Sequence, residues 1–236
     1  MTKPAPAGPT RDDRGGLSLA WTQIEVTARM TPETDDKRLY APAAARNRGP
    51  ILDVLREELP TEGLVLEIAS GTGEHSVHFA THLPGLVFQP TDRDERARES
   101  VAAWVAATGL PNLRAPLALD ATQTPWPVEK ADAILCVNMI HISPWESTES
   151  LFATAAAMLP EGAPVCLYGP YKRGGVHTAA SNEEFDASLR ANNPAWGVRD
   201  IETVVACAQK NGFSEPRIVE MPANNLTLVF RLRRAR

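Results

Sequence analysis

Cysteine is scarce in this chain, with three in 236 residues. Cys136, Cys166 and Cys207 stand far apart, each inside an apolar stretch. Such spacing excludes a disulfide framework and a cysteine-rich zinc site, and reads as buried thiols in a reducing compartment. Long apolar runs are missing as well: nothing approaches the roughly 18 residues that a membrane-spanning helix requires. Residues 1–16 are rich in proline, glycine and charge and lack the apolar core of an export signal. There is no basic excess, since 24 Lys and Arg stand against 29 Asp and Glu for a net charge of -5. A protein built to hold nucleic-acid backbones would carry the opposite balance. These absences give an expected cytoplasmic location with no membrane and no nucleic-acid partner, and leave the oligomeric state open.

What is present is ordinary for a folded domain, with 43% apolar and 22% charged residues. At about 150 residues per domain, the length fits one embellished domain. Residues 1–37 are expected to form a disordered or loosely ordered extension, with a weak alternation around Ile24 and Val26. From 42 to 59, Ile51, Leu52, Val54, Leu55 and Leu59 fall at helical spacing, and Pro60 ends the run. Strands are then expected at 64–69, 86–89, 113–119, 131–138 and 164–168, alternating with helices at 74–82, 94–108 and 146–159. The inner face of the 94–108 helix is read as Ala102, Val105 and Ala106. After a polar stretch at 169–198, a helix at 200–211 stops at Gly212. Two last strands, 218–221 and 226–232, flank a Pro-Ala-Asn-Asn turn. Such alternation makes a doubly wound, mostly parallel seven-stranded α/β sheet of Rossmann-like type. The C-terminal hairpin adds one antiparallel strand.

The most informative segment is Val65-Leu66-Glu67-Ile68-Ala69-Ser70-Gly71-Thr72-Gly73-Glu74-His75. A strand there runs into a glycine turn and then a helix, where backbone can approach a cofactor closely. A dinucleotide fingerprint needs a third Gly or Ala where this chain has Ser76. The acidic Glu67 inside the strand end would also be unfavourable beside a pyrophosphate, whereas it suits a cationic methionine end. Asp92 closes the second strand, placed to accept two ribose hydroxyls, and Asp120 closes the third, placed for an adenine amino group. A glycine turn followed by acids after three successive strands points to S-adenosyl-L-methionine. An NAD-dependent oxidoreductase and a purely structural turn with capping acids are the alternatives.

Four stretches carry a resemblance: Tyr40-Ala-Pro-Ala-Ala-Ala-Arg46-Asn47-Arg48, Ile68-Ala-Ser-Gly-Thr-Gly-Glu-His75, Ser181-Asn-Glu-Glu-Phe-Asp-Ala-Ser-Leu-Arg190 and Met221-Pro-Ala-Asn-Asn-Leu226. From 64 to 232 the chain resembles class I S-adenosylmethionine-dependent methyltransferases. More narrowly, over about 38–232, it resembles a bacterial and eukaryotic methyltransferase-like family known as a domain of unknown function. Ala69 stands where the broad superfamily usually has glycine. The resemblance implies a cofactor set of Glu67, Ala69, Gly71, Gly73, His75, Asp92 and Asp120, with Asn138 and Met139 bordering the methyl group. The segment Asn138-Met-Ile-His141-Ile-Ser143-Pro-Trp145 is not the Asn-Pro-Pro-aromatic sequence used on exocyclic amino groups, so those acceptors are disfavoured.

The acceptor is expected to be a small polar or anionic molecule, methylated on oxygen or sulfur. Residues 38–60 resemble an N-terminal cap, which would supply Tyr40, Arg46 and Asn47. The 169–198 insertion, with paired glycines, would form a lid carrying Tyr171 and His177. Arg199 follows it as a further acceptor contact. His141, Tyr171 and Arg46 are the catalytic candidates, His141 as a base or equally as a histidine that braces a loop carbonyl. Asp186 and Arg190 are spaced to pair on one helix face. His75, His78 and His82 lack a completing ligand set, so no metal is expected. A non-catalytic cofactor-binding scaffold or sensor is the rival from another class.

Overall fold

A computed structural model describes residues 36–233. The alternation at Ile24 and Val26 and all but the last two residues of the expected extension lie outside the described residues. The helical spacing of Ile51, Leu52 and Leu55 is realised in α1 (Pro42–Glu58), which buries all three. A β/α alternation follows: β1 (Gly63–Ile68), α2 (Glu74–His82), β2 (Leu86–Asp92), α3 (Glu95–Thr108) and β3 (Leu117–Ala118). Then come β4 (Ala133–Val137), α4 (Trp145–Met158) and β5 (Pro164–Gly169). The polar stretch contains β6 (Tyr171–Arg173), β7 (Val176–His177) and α5 (Ala180–Asn192), and leads to β8 (Arg199–Asp200). The chain closes with α6 (Ile201–Lys210), β9 (Arg217–Met221) and β10 (Asn225–Arg231).

The main sheet has seven strands in the order β3-β2-β1-β4-β5-β10-β9. The first five are parallel, and β10 runs antiparallel to both β5 and β9. The reversed strand of the hairpin is therefore the last one, inserted between β5 and β9. Both faces are covered, which is why β4 reads as a continuous apolar run. One face packs Ile51, Leu55, Phe79 and Phe88. The other packs Leu151, Phe152, Val204 and Phe230. Among the described residues no helix is long and apolar enough to cross a membrane.

The structure departs from the sequence-based reading in four main places. Pro90 lies inside β2, which runs on to Asp92 rather than stopping at Gln89. A proline is tolerated there because β3 begins pairing only at Thr91, and Gln89 Nε2 bridges the gap to the Ala115 carbonyl at 2.8 Å. Correspondingly β3 shrinks to two residues, and Leu113 joins β2 through an isolated bridge to Phe88. On α3 the buried residues are Ser100 and Val101, and Val105 packs against the core as expected, while Ala102 and Ala106 are exposed. The largest difference is the polar stretch: it folds as a β6-β7 hairpin and a helix, with β8 completing a second, three-stranded sheet.

Candidate functional site

The parallel strands deliver their carboxyl ends to one edge, so the segments that follow β1, β2, β3, β4 and β5 lie side by side there. After β1 the chain must turn sharply into α2. Ala69 (φ 57), Gly71 (φ 57) and Gly73 (φ 87) all adopt left-handed backbone. For an alanine this costs roughly 1–2 kcal/mol, a strain retained at the position where glycine was the expected residue. A Cβ at Gly71 would meet nothing within 4 Å, so the turn is open above it. Gly73 differs: a Cβ would press on Val101 and Trp104 at 3.1 and 3.2 Å, so its bareness lets α2 sit on α3.

The acids divide into two kinds. Glu67 is 1% exposed and accepts a hydrogen bond from Ser76 Oγ of α2. Burial pushes its carboxyl up to about 7, against the pull of the Ser76 and Ser70 hydroxyls. It braces the turn from inside. Asp92 accepts Gly71 N–H on Oδ2 and Asp94 N–H on Oδ1, both at 2.9 Å. Its burial raises the carboxyl from the usual range, while those two amides hold it down. Each oxygen keeps a lone pair for a further donor. Asp120 is half-buried and lowered below the usual range by the Thr122 hydroxyl and N–H. Arg93 stands 3.9 Å away.

Beyond β4 the chain enters a short 3-10 turn at Met139–His141, with Asn138 left-handed (φ 62) and its N–H donated to the Tyr168 carbonyl at 2.8 Å. Met139 is buried, and Ser143 Oγ donates to its sulfur at 3.3 Å. His141 is fully buried. Its Nδ1 accepts Arg199 N–H at 3.3 Å, and its carbonyl accepts Gly197 N–H at 2.9 Å. Burial first, then the Arg199 charge, holds the ring neutral with its pKa down to about 3. Tyr171 is also fully buried, edge-on to His141 at 4.9 Å between ring centres, and burial pushes its phenol well above 10. The Arg199 guanidinium donates to the carbonyls of Ile140, Ser143 and Ala195 at 2.8, 2.6 and 3.0 Å. His141 and Arg199 thus hold each other and the loop after β4, while Tyr171 packs its ring on His141 and its buried hydroxyl finds no hydrogen-bond partner among the described residues. A Cβ at Gly169 would collide with the His141 ring and reach Asn138 Oδ1 at 3.2 Å.

The N-terminal segment reaches the same edge. Glu74, which the sequence reading passed over, is buried and accepts Ala41 N–H and the Thr72 hydroxyl. Ser100 Oγ accepts Leu39 N–H and donates to the Thr72 carbonyl, so residues 39–41 are tied to the glycine turn. Tyr40 is exposed and packs edge-on to Trp104 at 5.2 Å. Asn47 Oδ1 meets His75 Nε2 at 2.7 Å, and burial raises the pKa of the Tyr168 hydroxyl while the Asn47 side chain and then the Arg46 charge pull it back. Arg46 is exposed. His177 stands apart from these residues, in β7, where it meets Asp186 at 3.4 Å beside Lys172 and Arg190. The Asp186–Arg190 pair therefore forms as spaced. Tyr168 and Glu74 had only a faint signal, a polar aromatic at a strand's end and an acid opening a helix. Among the described residues no group of three or more His, Cys, Asp or Glu could hold a metal.

Solved structures share this architecture. Human N-acetylserotonin methyltransferase, solved in complex with SAM, aligns at a TM-score of 0.69 and 11% identity, over 81% of this chain and 53% of that one. An O-methyltransferase family protein from Burkholderia thailandensis aligns at 0.69 and 15% identity, over 82% and 58%. The YcgJ protein of Bacillus subtilis aligns at 0.61 and 14%, over 81% of this chain and 100% of that one. The chain spans just over half the length of the first two. At such identities the likeness is one of fold, the Rossmann-like fold expected from the alternation of strands and helices. A family model described as a protein of unknown function, DUF938, matches residues 38–232, and the chain belongs to that family.

Proposed function

We propose that the protein is an S-adenosyl-L-methionine-dependent methyltransferase acting on a small polar or anionic molecule at oxygen or sulfur. The observation that carries this reading is the open turn at Gly71 beside Asp92, with Asp120 one strand further along the same edge. Asp92 keeps one lone pair on each oxygen, which matches two neighbouring ribose hydroxyls, and Asp120 would take the adenine end. The turn from Ala69 to Gly73 would hold the amino-acid end, supported from beneath by Glu67 and from the side by His75, with Asn138 and Met139 beside the methyl group. The resemblance of the turn to methyltransferases, and neighbours solved with SAM or with SAH, support the same cofactor.

Bound there, S-adenosyl-L-methionine supplies a methyl group whose departure leaves a neutral thioether, so alignment of the acceptor is the protein's main task. His141 is read as a positioning residue: with its ring buried and Nδ1 occupied, it holds the loop after β4 instead of taking a proton. Tyr171 and Arg199 serve with it. An acceptor that arrives already ionised, such as a carboxylate or thiolate, needs no base. Residues 38–60 would act as the cap and 169–198 as the lid over that acceptor.

Thermal unfolding with S-adenosylhomocysteine, S-adenosylmethionine, NAD and no ligand tests the reading. A ligand at about 100 times its Kd adds roughly 2.7 kcal/mol. The two sulfur compounds should raise the midpoint and NAD should not. A shift with NAD alone would overturn the proposal in favour of an oxidoreductase. Binding without any labelled methyl transfer to an extract of small molecules would favour a scaffold or sensor.

A further inference from the structure

The outer side of α3 carries an apolar stripe outside the core. Val101 and Val105 pack inward, whereas Ala102, Ala106 and Ala107 are exposed and Ala103 is half-buried. With Glu99, these alanines line a groove of about 570 Å³ whose remaining residues are Asp36, Lys37 and Arg38. Residues 36–41 run as a strap across the same helix. Lys37 Nζ pairs with Glu99 at 3.0 Å, and Leu39 N–H donates to Ser100 Oγ at 2.8 Å. Trp104 Nε1 donates to the Leu39 carbonyl at 3.3 Å, and the Arg38 guanidinium lies over the Trp104 ring at 4.9 Å. The strap ends beside the glycine turn, where Ala41 N–H donates to Glu74. Asp36, its first residue, stands in the groove, so the chain leading into the strap starts from there.

The residues before Asp36 suit that face. Ile24, Val26, Ala28 and Met30 alternate with Glu25, Thr27 and Arg29, the period of an extended segment with one apolar side. Seven extended residues span about 20 Å, which matches the roughly 21 Å length of the 14-residue α3. The linker from Met30 to Asp36 reaches at most about 22 Å, which keeps the segment close to the groove. Well-packed contacts set large groups against small ones. The alanines supply the small side, and Ile24, Val26 and Met30 supply the large one. A second copy's α3 would bring alanines alone.

We propose that residues 24–30 dock along the outer face of α3, with their apolar side chains on Ala102, Ala103, Ala106 and Ala107. The docked segment is an intramolecular clasp that holds the strap against the glycine turn.

Trypsin, which cuts after lysine and arginine, tests the clasp on the full chain. Arg29 lies inside the segment, while Arg11 and Arg14 precede it and serve as internal references. A docked segment is cut when it opens, so cleavage after Arg29 should be at least about tenfold slower than after Arg14. Ala106→Glu and Val26→Asp should each bring the two rates together. Val26→Asp leaves the sequence of α3 unaltered, and so separates loss of docking from damage to that helix. Equal rates at Arg29 and Arg14 in the unaltered protein overturn the proposal. So does slow cleavage that Val26→Asp relieves and Ala106→Glu does not, because the segment then rests elsewhere. Protection that disappears on about a hundredfold dilution means docking onto a second copy, which also overturns the clasp. The experiment needs no cofactor, so its outcome is independent of the methyltransferase reading.

Discussion

The two halves of the carboxyl edge are built in opposite ways. Over β1, β2 and β3, a contiguous turn and single acids leave atoms open: a bare face at Gly71 and unused lone pairs on Asp92. Over β4 and β5, residues from 138–143, 169–171 and 197–199 fill one another's space, with His141 and Tyr171 fully buried. The first half leaves acceptor atoms and backbone open, as the proposed cofactor site requires. The second holds a loop still, and Arg46 lies outside it, exposed on α1. A polar residue at a strand's end can therefore serve either purpose, and only its partners distinguish them.

The contrast can be broken by substitution. Asp92→Ala should have the largest effect, since it removes a charged acceptor of two hydrogen bonds, each worth roughly 1.5–3 kcal/mol. Affinity for S-adenosylhomocysteine, read by calorimetry, should fall at least about a hundredfold; a loss under threefold would remove Asp92 from the cofactor's ribose. Gly169→Ala should destabilise the fold by about 1–3 kcal/mol through overpacking against His141 and Asn138. Denaturant unfolding measures that, and an unaffected midpoint would mean the second half is loosely packed.

The two halves should also titrate with opposite sign. Glu67, raised to about 7 by burial, contributes stability that is fully present below 4.5 and is lost as pH rises towards 7. His141, lowered to about 3, contributes stability present above 6.5 that is lost as pH falls through the acid range. Glu67→Gln should therefore gain on the unaltered protein by about 2–3 kcal/mol between pH 4.5 and 8, and His141→Asn should flatten the acid limb. Parallel melting curves across that range would show that neither group is desolvated as described. The smallest effect is expected at Ala69→Gly. Relief of the left-handed alanine, offset by the added freedom of the unfolded chain, leaves about 0.5–1 kcal/mol of stabilisation. A loss would mean that the Ala69 methyl packs in a way that outweighs the strain.

The legibility of the site follows the same division. The places of Glu67, Gly71 and Gly73 around the end of β1, and of Asp92 at the end of β2, could be read because strand ends and turn chemistry are local. The sequence left His141 open between a base and a brace, and the contacts that Arg199 makes with it could not be read. Arg199 lies 58 residues from its partner His141, and their contact forms only when β8 joins β6. The polar stretch read as a plain insertion because two- and three-residue strands leave no periodicity to detect. Ala102 and Ala106 misled for a different reason, since small apolar residues are equally at home on an exposed helix face.

By itself the sequence determined the order of strands and helices, the parallel sheet with its reversed terminal strand, and the place of the glycine turn. Periodicity and turn residues act over a few positions, and a buried parallel strand needs an unbroken apolar run. Only the tertiary structure decided that β10 inserts between β5 and β9, that His141 lies sealed against Gly169, and that Asn47 of α1 meets His75 of α2. Those outcomes depend on which distant segments exclude water together, a property of the packed chain that no local pattern carries.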